Sequence, residues 1–301
     1  MLIFWVLFNA FVLGMLAIDL WVFHRPAHAV KFREAALWSV SWIAMAAAFA
    51  LVVFFWQGRE PVMQFTAGYL IELALSVDNL FVFLLIFRYF RVPADFQHKV
   101  LFWGILGALL MRGVFILVGV GLIQKFHWVT YLFGTFLVYS GIKLFRADDV
   151  SIEPEKNPVL RLFRRWMPIT EDYEGEKFFV RRAGLYATPL LAVLIIVETT
   201  DLLFATDSIP AVLAITLRAF IVYTSNVFAL LGLRSMYFVL SGMMEVFHYL
   251  HYGLAVVLIF IGAKMLAADY YPVSTGVALV VVVSVLLISV AASVVHPKAA
   301  A

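Results

Sequence analysis

Cysteine is absent from the 301-residue chain, which excludes disulfides, thiolate metal ligands and thiol redox chemistry. Charge is scarce too: Asp, Glu, Lys and Arg make up 14% of the residues, against about 25% in a soluble domain. The net charge of +3 is too small a surplus to indicate nucleic-acid binding. Catalytic signatures are missing as well. No HExxH, GxSxG, Walker A or GxGxxG pattern occurs, and the longest polar connection, about 40 residues, is short for a catalytic domain. An enzyme is the least favoured class.

What the chain has in abundance is apolar surface. Hydrophobic residues account for 64% of it and the mean hydropathy is +0.99. No water-soluble fold hides that much, because a folded surface needs polar atoms to face water. The solvent is therefore lipid, and the backbone must satisfy itself as helix. The expected fold is an all-α polytopic membrane protein. Since a crossing needs about 20 apolar residues, nine spans are expected at 1–23, 36–56, 63–87, 100–122, 127–147, 188–210, 219–241, 251–269 and 275–295. The first has no basic residue before Arg25, and its length suits a spanning helix rather than a cleaved leader.

With Arg146, at the edge of the fifth span, counted in the loop that follows it, Lys and Arg outside these spans number 15 on one side and 3 on the other. The side rich in positive charge faces the cytoplasm, which places the amino terminus outside and the carboxyl terminus inside. The connection 148–187 is then cytoplasmic. Asn157-Pro158 predicts a helix start there, and VLRLFRRWM after it mixes apolar and basic residues as an interface-lying helix does. The acidic run Glu171, Asp172, Glu174 and Glu176 reads as a solvated loop and is assigned no site.

Four basic residues remain inside the spans, and they pair by position. Arg112 and Arg234 are 122 apart, and Lys143 and Lys264 are 121 apart. Tyr131 and Tyr252, and Gly141 and Gly262, keep the 121 spacing. Spans three to five (63–147) thus read as a copy of spans six to eight (188–269). Three spans per copy turn the second upside down, giving an inverted repeat of the kind that recurs in secondary transporters, with the site at the midplane where copies meet.

The acids fall in the first span of each copy. One carries Glu72, Ser76, Asp78 and Asn79; the other carries Glu198, Thr199, Thr200, Asp201, Asp207 and Ser208. Each carboxylate in hydrocarbon costs about 2.5–3.5 kcal/mol on insertion scales, so five need protons, paired cations or a bound ion. At 100° per residue Glu72, Ser76 and Asn79 share a face, with Asp78 about 120° away from Glu72. Asp207 faces away from Glu198 in an unbroken helix, and Pro210 predicts a break or kink near 206–210 that frees a carbonyl ligand. Carboxylates, hydroxyls and an amide are hard oxygen donors, suited to Mg²⁺, Ca²⁺ or Mn²⁺. The seven histidines (24, 28, 98, 127, 248, 251 and 296) lie at span ends or in loops, which disfavours zinc or copper; those spaced like ligands, His24/His28 and His248/His251, read as polar termini. The structural alternative is a closed ion-pair network on Arg112 and Arg234. It leaves three of five acids uncompensated, because Lys143 and Lys264 can snorkel to the interface.

ELALSVDNLFVF (72–83), VETTDLLFATDSIPAVLAIT (197–216) and TSNVFALLGLRSMYF (224–238) resemble the TerC family of integral membrane proteins, most closely its Alx-type branch. AIDLWVFHRPAHAVKFREAALWSVSW (17–42) and FFVRRAGLYATPLL (178–191) match as well, so the resemblance covers nearly the whole chain. It implies a metal-ion transporter of the bacterial inner membrane that exports manganese, with Glu72, Asp78, Asn79, Glu198, Asp201 and Asp207 along the ion path. One departure is Leu217-Arg218-Ala219, where members of the family often carry Asp-Pro; the vestibule is more positive there.

The expected mechanism is Mn²⁺ export by alternating access, with Mn²⁺ as substrate and no permanently bound cofactor. Asp78, Asp201 and Asp207 are the expected carboxylate ligands, Asn79 and Ser208 the neutral oxygens, Glu72 or Glu198 the proton acceptor, and Arg112 and Arg234 gating or ion-pair residues. Proton coupling and uniport stay alternatives, as do a channel or transporter for calcium or magnesium and a membrane-embedded assembly factor.

Overall fold

The structure, a computed structural model, describes residues 2–23, 32–146, 157–181, 184–241 and 249–295. Its helices are α1 (Leu2–Phe23), α2 (Phe32–Gln57), α3 (Arg59–Tyr89), α4 (Ala94–Lys125), α5 (Trp128–Phe145), α6 (Pro158–Trp166), α7 (Pro189–Leu213), α8 (Ala219–Ser241), α9 (Leu250–Leu266) and α10 (Thr275–Val295), with two short strands, β1 (Phe179–Arg181) and β2 (Leu185–Ala187), before α7. Each expected span has its helix. Seven of them are long and apolar enough to cross a membrane; Ile3–Ile18 within α1 and Leu250–Leu266 are apolar but shorter. The chain is an all-α polytopic membrane protein.

Its exterior follows from its solvent. On α4, Leu110, Val114, Leu117 and Val118 are exposed, while Ala108, Arg112 and Ile116 point inward and are buried. The helix is apolar outside and polar at one inward position, the reverse of a helix that faces water. α3 and α8 have the longest runs of enclosed side chains.

Helix ends are set locally. α2 and α3 are separated only by Gly58, whose φ of +90° suits glycine alone. α3 closes with Val92 N–H on the Phe87 carbonyl (2.9 Å) and Arg91 N–H on that of Arg88 (3.1 Å), leaving Arg91 left-handed at φ 51°. α6 begins where Asn157-Pro158 predicts. The Asn157 side chain accepts from the amides of Val159 (2.9 Å) and Leu160 (3.0 Å), with Pro158 in the first turn.

α5 packs on α9, α3 on α8, and α4 on α7, while α3 also meets α7 and α4 meets α8. Glycines make the α5–α9 approach possible. A Cβ on Gly262 would fall 2.7 Å from the Gly134 carbonyl oxygen, and one on Gly141 would fall 2.8 Å from that of Ala255. Small residues admit such backbone contact between helices in lipid, where no hydrophobic drive separates helix from solvent.

The connection before α7 is more than a solvated loop. β1 and β2 pair antiparallel, with Val180 opposite Tyr186, and Ile169 bridges to Ala187. Thr188 donates to the Lys177 carbonyl at 2.6 Å. The cap docks on the helix bundle through Tyr173, whose hydroxyl donates to the Phe90 carbonyl at 2.8 Å, and through Lys99, whose ammonium donates to the Glu176 carbonyl at 2.7 Å. Residues 147–156 and 182–183 of this connection lie outside the described residues.

The break expected at 206–210 is not there. α7 runs continuously through Pro210 to Leu213. Pro210 sits in the last turn, where losing one amide donor interrupts little helix and the following residues already bond back, Ala214 N–H to the Pro210 carbonyl at 2.9 Å.

Candidate functional site

The polar centre is built by α3, α4 and α7 around one arginine. Arg112 is 1% exposed and Glu72 and Asp201 are equally enclosed, at 0% and 3%. A guanidinium presents five donors in a planar fork and suits more than one carboxylate. Its Nε and Nη2 donate to the two oxygens of Asp201 at 3.2 and 2.9 Å, a bidentate pair. Nη1 lies against Glu72 and donates to the Ser208 hydroxyl at 3.4 Å. Three residues, one from α3 and two from α7, thus converge on one cation.

Glu198 lies one turn from Asp201 and within its electrostatic range. Its carboxylate lies directly over Gly107 of α4, where a Cβ would force it to shift. Its Oε2 is buried without a hydrogen-bond partner among the described residues. Asp207 points elsewhere: it accepts from the Ser140 hydroxyl of α5 at 2.6 Å and feels the charge of Lys143. Asp78, on the other side of α3, lies within electrostatic range of His251 in the first turn of α9. Ser76 and Asn79 are buried with Glu72 on the face expected from helix geometry, and the Ser76 hydroxyl has no hydrogen-bond partner among the described residues. Arg234 is buried in α8 and within electrostatic range of His98 in α4.

The structure therefore brings Glu72, Asp201, Ser208 and Arg112 together, keeps Glu198 adjacent, and sets Asp78 and Asp207 apart from them. Among the described residues, no three of His, Asp and Glu are gathered as a metal site in this conformation. His24, His28, His248 and His296 lie outside the described residues.

Some participants escaped the sequence reading. Ser140 stands next to Gly141 in a repeat-matched segment, and that position was its only clue. His251 reads as a polar helix end, yet the fold sets it opposite Asp78. Asn226 is 1% exposed in α8, with both side-chain polar atoms lacking hydrogen-bond partners among the described residues; an amide inside the apolar run of a span was the signal for it. Gly107 carries no signal without a structure. Lys264, expected to snorkel, donates to the Ala214 carbonyl at 2.9 Å at the end of α7, where a cation suits the helix dipole.

A helical membrane bundle with a buried arginine–carboxylate centre defines an integral membrane protein with an embedded polar site. The family comparison is specific: the TerC family of integral membrane proteins matches residues 57–300, from the end of α2 onward. This chain belongs to that family. A membrane protein of Myxococcus xanthus, STKORF319, is 49% identical over 295 residues, covering 98% of this chain and 92% of the relative. The Escherichia coli K12 protein named membrane-bound redox modulator Alx is 46% identical over 296 residues, covering 95% and 92%. A Rickettsia bellii membrane protein is 38% identical over 293 residues, covering 97% of both chains. No solved structure matches the chain.

Proposed function

We propose that this protein is a secondary transporter that exports Mn²⁺ from the cytoplasm by alternating access. The observation that carries the reading is the excess of embedded acid over embedded base: Glu72 and Asp201 are buried and Asp78, Glu198 and Asp207 half-buried, against buried Arg112 and Arg234 and half-buried Lys264. These five carboxylates lie on two packed helices, yet a single guanidinium serves two of them, and Glu198 keeps an oxygen without a hydrogen-bond partner among the described residues. A purely structural network gains nothing from the surplus, because each unpaired carboxylate in hydrocarbon is costly.

In this mechanism Arg112 is the resident counter-ion of the empty carrier. It neutralises Glu72 and Asp201 until a divalent cation competes for them, and the freed guanidinium then moves toward other acceptors. Asp201, Asp78 and Asp207 supply carboxylate oxygens, Ser208 and Asn79 neutral ones, and Glu198 or Glu72 takes up the proton that weakens binding on the release side. Hard oxygen donors of this kind hold Mn²⁺ as substrate. Redox chemistry through thiols has no place here, because the chain has no cysteine.

Two features support the rocking of two inverted copies. The helix contacts map onto themselves when α3, α4 and α5 are exchanged for α7, α8 and α9. The glycine contacts exchange too: Gly141 meets Ala255 and Ile259, and Gly262 meets Gly134 and Val138, each pair shifted by 121. The positive-charge bias orients the carrier with its amino terminus outside and the cap in the cytoplasm.

The test is Mn²⁺ flux in proteoliposomes. Glu198→Gln, Asp78→Ala and Asp207→Ala are each expected to lower the initial rate by at least about tenfold, as loss of a charged ligand does. Unchanged flux in all three, at equal protein levels, would exclude the site. Competition by Ca²⁺ or Mg²⁺ at equal concentration reads the selectivity.

A further inference from the structure

α6 is the one helix among the described residues of the connection before α7, and its surface divides three ways. At 100° per residue, Leu160 and Phe163 share the face that packs toward α7. Leu160 is buried there. A second stripe holds Val159, Leu162 and Trp166, which are 46%, 56% and 84% exposed. Arg161, Arg164 and Arg165 occupy the third, all exposed, and none makes an ion pair or side-chain hydrogen bond to a described residue. An apolar stripe and a basic stripe that are both uncovered among the described residues are wrong for water and right for the boundary between acyl chains and headgroups.

The placement agrees. α6 packs on α7, and the Asn157 amide at its start donates to the Thr199 hydroxyl at 2.8 Å, ten residues along α7. Ten residues of helix are about 15 Å, half the hydrocarbon thickness, so α6 starts beside the middle of the spanning helix and climbs toward the headgroup level, where it leads into the cap through Met167 and Ile169.

We propose that α6 is a binding site for anionic phospholipid. Arg161, Arg164 and Arg165 hold the phosphate-bearing headgroups of the cytoplasmic leaflet, while Trp166, Leu162 and Val159 enter the acyl region. Guanidinium forks pair with phosphate oxygens in two-point contacts, and basic residues at a negative surface each add attraction. The side of the membrane follows from the orientation given for the transporter; the binding itself needs only that α6 lie at an interface. Because Asn157 reaches Thr199, next to Glu198, lipid held on α6 bears on the helix that carries the acids.

A chain without cysteine makes the test clean. Val159→Cys is labelled with bimane, and the whole protein is reconstituted in phosphatidylethanolamine bilayers containing equal fractions of either brominated phosphatidylglycerol or brominated phosphatidylcholine. The anionic lipid is expected to quench at least about twofold more, and the preference should shrink as ionic strength rises. R161Q/R164Q/R165Q is expected to equalise the two lipids, while R161K/R164K/R165K retains most of the preference. Equal quenching by both lipids in the labelled parent, or a preference that survives the glutamine variant, would overturn the proposal. Quenching reads lipid and not ion flux, so its failure is separate from failure of the transport mechanism.

Discussion

Arg112 is the residue on which the centre turns. A buried guanidinium serving two carboxylates is held by what it neutralises, and its removal strands two charges. Arg112→Gln is expected to destabilise the protein by about 3–5 kcal/mol, read as a lower melting temperature in detergent. Adding Glu72→Gln and Asp201→Asn should recover most of that loss, because the stranded charges then disappear. Gly107 gives a second prediction. Its missing side chain leaves the space occupied by the Glu198 carboxylate, so Gly107→Ala must displace that group and reduce Mn²⁺ flux. In an Glu198→Ala background the same substitution should leave the melting temperature nearly unchanged, the non-additivity expected of residues in contact. These predictions belong to single side chains because the low dielectric of the core makes each unpaired charge expensive.

At the scale of elements, the cap before α7 is the feature that hydropathy hid. Its strands are three residues each, too short to show a period, and the acidic residues suggested only a solvated loop. The helix start at Asn157-Pro158 was legible, because a capping side chain followed by proline acts through local geometry. Docking of the cap rests in part on Tyr173, whose phenol burial pushes up to about 12, from the ordinary value of about 10. A raised phenol means that the docked state holds its proton more tightly. That part of the docking is full below about pH 10 and is lost as pH climbs toward about 12. The difference between the phenolate-absorbance titrations of the parent and of Tyr173→Phe should show one phenol ionising near pH 12 instead of near 10. The expected break in α7 failed for a reason of position: a proline in the last turn ends a helix without opening it.

For the whole molecule, the membrane supplies the boundary conditions. Single cysteines in the cysteine-free chain report which side each end faces. Tyr270→Cys, at an 88% exposed position between α9 and α10, should react with an impermeant maleimide added outside cells; Glu171→Cys, exposed in the cap, should react only after the membrane is opened. The reverse pattern would invert the orientation. Helix class, the nine apolar segments that form helices and the acid-bearing segments were all readable from composition and length, since lipid forces every backbone group into helix and makes each embedded charge conspicuous. The spacing of 121 residues was readable too, but not its meaning in space. Only tertiary packing decided that Arg112 takes Glu72 and Asp201 while Asp207 turns to Ser140, because which acid meets which partner depends on how α3, α4, α5 and α7 are rotated against one another. A one-dimensional pattern contains each helix's own period and carries no term for the angle between two helices.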